Sequence, residues 1–207
     1  MKLQLRTSLL PLILAALGLG PAHAADAPRI GGELTCNGPV SDKDTGESLY
    51  QRYGEQATLG DFRDPNYNSF IEVELFSSEA QLDVKLADDD FVKNVVAVEV
   101  SPGVTAWSVN GVKMGMSLED VAAINGGPFK FWMTGLDTKG SATFPGGRLD
   151  KLDGGCRLKV GFAFDDHNKI AQTLSGKEIS SDNQELQKLR PTVSELSILW
   201  PRTRVLP

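Results

Sequence analysis

The sequence predicts an α+β fold, with short helices packed on one face of an antiparallel sheet. Three observations carry that expectation. Several segments alternate apolar and polar residues with the period of a half-buried strand. Two short stretches carry helix caps and abrupt glycine stops, and successive strands lack the long crossover helices that a parallel sheet needs.

The chain opens on Met1-Lys2-Leu3-Gln4-Leu5-Arg6, runs apolar from Leu9 to Leu19, and reaches Pro21-Ala22-His23-Ala24. A basic start, an apolar middle and a small-x-small ending form the pattern of a cleavable secretory signal over residues 1–24. The run is too short for a membrane span, which takes about 20 apolar residues. Ala25 rather than Cys follows, so a lipid-anchored terminus is not expected. The expected location is periplasmic or secreted, without membrane insertion after cleavage. Lys2 and Arg6 leave with the leader and none of the 27 acidic residues does, so the working chain is more acidic than the net −6 of the whole. That balance repels nucleic acid and anionic lipid.

Residues 25–106 and 107–207 are expected to form two similar α+β lobes or one continuous domain. Ala25 to Leu34 reads as a flexible lead-in. A first short helix spans Thr45 to Tyr53, capped by Asp44 or Thr45 and closed by Gly54. Asp61 to Asn68, with Pro65, reads as a polar turn. In Phe70 to Phe76, Ile71, Val73 and Leu75 fall on one side and Glu72 and Glu74 on the other. Leu82, Val84 and Leu86 repeat the alternation, Val95 to Val100 is a β-branched run, and Trp107 to Val112 predicts another short strand. The second helix is capped by Ser117 with Asp120 in capping-box position, lines up Leu118, Val121 and Ile124, and stops at Gly126-Gly127-Pro128. Phe129 to Met133 reads extended. Arg157 to Phe164 is a strand with Leu158, Val160, Phe162 and Phe164 on its core side; a turn over Asp165 to Lys169 leads to a partner strand, Ile170 to Leu174. Ser181 or Asp182 caps a last helix through Leu189, stopped by Pro191, and Val193 to Trp200 closes the chain as a strand.

Cys36 and Cys156 are the only cysteines, and export would deliver them to an oxidising compartment, where a pair is expected to be bridged. Closing a loop of this length stabilises a fold by about 4–5 kcal/mol at most. Two cysteines and His167 do not make a zinc set, so no metal and no cofactor is expected.

The two helices echo each other: Thr45, Leu49, Tyr53 and Gly54 match Ser117, Val121, Asn125 and Gly126 in kind and spacing, apart from Tyr53 and Asn125. A duplication and the coincidence of two short capped helices both fit. Gly111-Val112-Lys113-Met114-Gly115-Met116-Ser117, followed by Val121 and Asn125-Gly126-Gly127-Pro128-Phe129, resembles the signature of a superfamily containing β-lactamase-inhibitor-protein-like modules and small outer-membrane assembly lipoproteins of the SmpA/OmlA type. The stretch from Trp107 to Gly140 and the ending from Ser181 to Pro201 are similar to a group of uncharacterised exported proteobacterial proteins. The resemblance implies a structural module and carries no catalytic residue. Where those relatives have aromatics, this chain has Gly135-Leu136-Asp137-Thr138-Lys139-Gly140, a departure at a stretch that could form a contact surface.

Candidate chemistry is sparse. G-x-S-x-G is begun by Gly115-Met116-Ser117 but Glu119 replaces its second glycine. Ser181-Asp182-Asn183 matches one element of serine β-lactamases without the companion motifs, and a helix cap explains it better. His167, the only histidine beyond the leader, sits in Asp165-Asp166-His167-Asn168, which reads as a solvated turn. Asp88-Asp89-Asp90 lacks the spacing of a calcium loop. What remains is a contact surface built from Trp107, Phe129 and Trp132, aromatics of the kind that anchor protein interfaces. The expectation is a non-enzymatic module binding another envelope protein; a small hydrolase with a dispersed site and a small-ligand binder are the alternatives.

Overall fold

The computed structural model describes residues 31–63, 69–87, 94–133, 139–164 and 169–201. The leader, Asp88-Asp89-Asp90 and His167 lie outside them. The fold is α+β. From one edge, strands β2 (Ala57–Arg63), β3 (Ser69–Leu75), β4 (Leu82–Ala87) and β5 (Val95–Val100) form an antiparallel meander. From the other edge come β10 (Glu178–Ser180), β7 (Lys130–Met133), β8 (Lys139–Thr143), β9 (Arg157–Ala163) and β11 (Thr192–Leu199). β11 pairs antiparallel with β5, so both groups join in one nine-stranded sheet. A parallel pair, β1 (Gly32–Glu33) with β6 (Trp107–Ser108), lies apart from it.

Each meander follows a capped helix. α1 (Gly46–Tyr53) starts at Thr45 and α2 (Leu118–Asn125) at Ser117, each with a reciprocal capping box, to Ser48 and Asp120 respectively. Gly126 ends α2 at φ 87°, a left-handed conformation that glycine adopts without the steric cost of a side chain. In the sheet, α1 is followed by β2-β3-β4-β5, the first unit, and α2 by β7-β8-β9-β11 with β10 added outside β7, the second unit; the two meet at β5 and β11.

One face of the sheet is core. Val73, Leu75, Leu82, Val84, Val98 and Val100 from the first unit meet Phe131, Met133, Val160, Phe162, Leu196 and Ile198 from the second in a single buried cluster. Leu49 of α1, Leu118 and Val121 of α2, and Leu186 of α4 (Gln184–Lys188) cover it. Burial of these side chains is the main favourable term, about 1.5–3 kcal/mol for each large one.

Five expectations need correction. Gly32 to Leu34 is not part of a flexible lead-in, because β1 pairs with β6 and Leu34 is buried in the core. Asp61 to Arg63 belongs to β2, not to a polar turn. The segment after Trp107 is a strand for two residues only; Asn110 (φ 47°) and Gly111 (φ 82°) then make a tight turn, across which Val109 and Val112 exchange hydrogen bonds of 2.9 Å. Ile170 to Leu174 is not a strand but part of α3 (Lys169–Leu174); Ala171, Gln172 and Leu174 are good helix formers, and alternation over so few residues cannot separate the two. The last helix is capped by Asn183, whose Oδ1 accepts from the N–H groups of Glu185 and Leu186, rather than by Ser181 or Asp182.

Candidate functional site

Strand alternation that points one set of residues into the core must point the other set away from it. On the second face, one cross-strand row reads Glu178, Trp132, Ser141, Gly161, Glu195. A neighbouring row reads Lys159, Ser197, Glu99, Asp83, Glu74, Thr58. Most of these positions are half-buried or exposed, so this face is the open one.

Its charge is polarised. In the first unit Glu72, Glu74, Asp83 and Glu99 surround Lys85, which pairs with Glu99. Asp83 accepts from the Ser101 hydroxyl at 2.6 Å and from Gln81 Nε2 at 2.9 Å. Burial first, and the nearby Asp83 carboxylate second, hold the Glu72 carboxyl above its ordinary range, with Lys85 opposing them. In the second unit Lys130, Arg157 and Lys159 are exposed; Lys130 bonds Glu178 at 2.7 Å and Lys159 bonds Glu195. Gly161 lets Glu195 lie across β9, since a Cβ there would meet Glu195 Cβ and Oε2 at 2.8 Å.

The three aromatics proposed from sequence separate here. Trp107 is 3 % exposed, and its Nε1 donates to the Ala80 carbonyl at 2.8 Å within the core. Phe129 is equally buried, against Phe144 and Phe162, and its N–H donates to the Ser181 hydroxyl oxygen at 3.0 Å. Burial withdraws both from any contact surface. Trp132 is 47 % exposed on the open face, between Phe131 and Met133, which point into the core. Ser181 therefore holds the backbone that leads into β7. Cys36 and Cys156 are bonded, with Cα atoms 5.5 Å apart. The bond ties the segment after β1 to the turn before β9, and Cys156 N–H donates to Cys36 Sγ at 3.2 Å.

The charged residues around Trp132 were not singled out in the sequence. Glu72 and Glu74 were legible as the polar side of a strand, but β8 and β10 went unread, so the row that frames Trp132 could not be assembled. Among the described residues no group of three His, Cys, Asp or Glu side chains could hold a metal ion, and no helix is long and apolar enough to cross a membrane. Compared with protein-family models, curated proteins and solved structures, the chain finds no match.

Proposed function

We propose that the chain is an exported, non-enzymatic module that binds another protein of the cell envelope through the open face of its sheet, with Trp132 as the anchor. The observation that carries this reading is the position of Trp132. A large aromatic side chain is half exposed on a strand fixed by buried residues on either side, so it loses little freedom on binding. Ser141 beside it and the Lys130–Glu178 and Lys159–Glu195 pairs around it supply a polar rim. The disulfide and the N-terminal pattern support an oxidising compartment.

The test is capture of crosslinked partners from native envelope extract by the purified protein and by Trp132→Ala. An exposed residue leaves the fold intact when truncated, whereas an anchor costs about 2 kcal/mol or more of binding, roughly 30-fold. Loss of a specific crosslinked partner, at an unchanged Tm, is expected. Equal capture by both proteins would remove Trp132 and this reading with it.

A further inference from the structure

The two ends of the sheet are finished differently. In the second unit the strand that follows the helix is β7, and its outer edge is covered by β10. Ser181 N–H donates to Phe129 O at 2.9 Å, Gly176 N–H to Met133 O at 3.1 Å, and Met133 N–H to Lys177 O at 3.4 Å. These bonds involve the β7-side residues that face the core, and Ile179 sits opposite Phe131, half-buried on the core side. Phe131 is fully buried.

The counterpart of β7 in the first unit is β2, and among the described residues no strand pairs with its outer edge. Its hydrogen-bond phase follows from one bond. Phe76 N–H donates to Gln56 O at 2.8 Å, one step beyond the Ala57–Leu75 pair. Bonded and non-bonded pairs alternate along an antiparallel ladder, so Thr58, Gly60 and Phe62 bond to β3 while Ala57, Leu59, Asp61 and Arg63 turn their backbone groups outward. The outward set again includes the core-side residues, and among them Leu59 is 66 % exposed, a large apolar side chain mostly in water. β7 and β2 thus present the same kind of edge. One has an antiparallel strand with an apolar residue over it, and the other has Leu59 in water.

We infer that a second copy of this chain covers that edge, β2 pairing antiparallel with β2 about a two-fold axis at Leu59. In this register Leu59 of each copy lies opposite Leu59 of the other, giving each the apolar cover that Ile179 gives Phe131. Thr58 falls opposite Gly60, where the missing side chain leaves room. Two-fold pairing uses one strand twice and closes on itself, so it ends at a dimer. An unpaired edge is a ready template for such pairing, and β2 is seven residues long where the opposite edge, β10, has three. Ala57 N–H is already held by Gly54 O, so the shared ladder is centred on Leu59 and short. The contact is distinct from the open sheet face and survives or fails independently of Trp132.

Sedimentation velocity on the oxidised, leader-free protein tests it. A concentration-dependent monomer–dimer equilibrium is expected, and Trp132→Ala leaves it unchanged. Leu59→Pro removes only an outward N–H, so it keeps the bonds to β3 and weakens the dimer at least tenfold, while Leu59→Lys does the same by charge repulsion. Leu59→Cys is expected to form an intermolecular disulfide in air, because residues opposite each other in a bonded pair have Cα atoms about 5.5 Å apart; Thr58→Cys, displaced from its own copy, is not. A chain that stays monomeric at millimolar concentration overturns the inference. So does a dimer that persists in folded Leu59→Lys, or one that Thr58→Cys crosslinks as readily as Leu59→Cys.

Discussion

Asp44 is 4 % exposed and charged, an arrangement that needs partners. Burial acts to raise its pKa. Hydrogen bonds from the Arg52 guanidinium, the Ser41 N–H and the Ser48 hydroxyl outweigh that effect, and the carboxyl ends below its ordinary value. A lowered folded-state pKa contributes stability that is fully present above the unfolded value, about 3.9, and lost as pH falls through the folded one. Asp44→Asn is expected to cost about 1–3 kcal/mol at neutral pH. The gap between mutant and wild type should narrow as the pH drops below about 4. Urea titrations at the two pH values check this, and a gap independent of pH would dismiss the charge as its source. The sequence offered Asp44 only as a cap; its ion pair with Arg52, two turns along, needed the helix to be built first.

Helix α2 is the element that the sequence specified best. Ser117 Oγ accepts from Asp120 N–H at 3.1 Å while the Asp120 carboxylate accepts from Ser117 N–H at 3.1 Å, so two donors that the helix leaves unpaired are satisfied locally. Ser117→Ala is expected to destabilise the protein by about 1 kcal/mol, measured as a shift in urea midpoint; no shift would mean that tertiary packing alone holds the helix start. Strands were less legible where their composition is atypical. β8 reads Lys139-Gly140-Ser141-Ala142-Thr143, with few branched or aromatic residues. Gly140 is there because the Phe131 ring fills the space a Cβ would take, at 2.3 Å. That requirement comes from the neighbouring strand, so propensity could not reveal it. β2 was hidden likewise by Gly60 and Asp61, residues that signal turns on their own.

Across the whole molecule, the disulfide links distant parts of the chain, since Cys36 precedes α1 and Cys156 lies immediately before β9, 120 residues away. Cross-linking residues so far apart restricts the unfolded chain most strongly. Cys36→Ser with Cys156→Ser is expected to lower unfolding stability by up to about 4–5 kcal/mol. The denaturant midpoint of the double mutant, set against that of the wild type, measures it; a midpoint within error of wild type would mean the fold already restricts that loop. Both units share one core and a sheet joined at β5 and β11, so this loss should appear as one cooperative transition.

The sequence by itself determined the fold class, both capped helices, the alternating strands around Val73, Val84 and Val160, and the cysteine pairing. Each rests on periodicity, capping or simple counting, which act over a few residues or need no geometry. Only the tertiary structure decided that Trp107 and Phe129 are buried while Trp132 is not, that charges from seven strands gather on one face, and that β10 finishes one edge while β2 stands open. Exposure and neighbourhood on a sheet depend on which strands lie side by side, and that order is set by long-range packing that no local stretch of residues encodes.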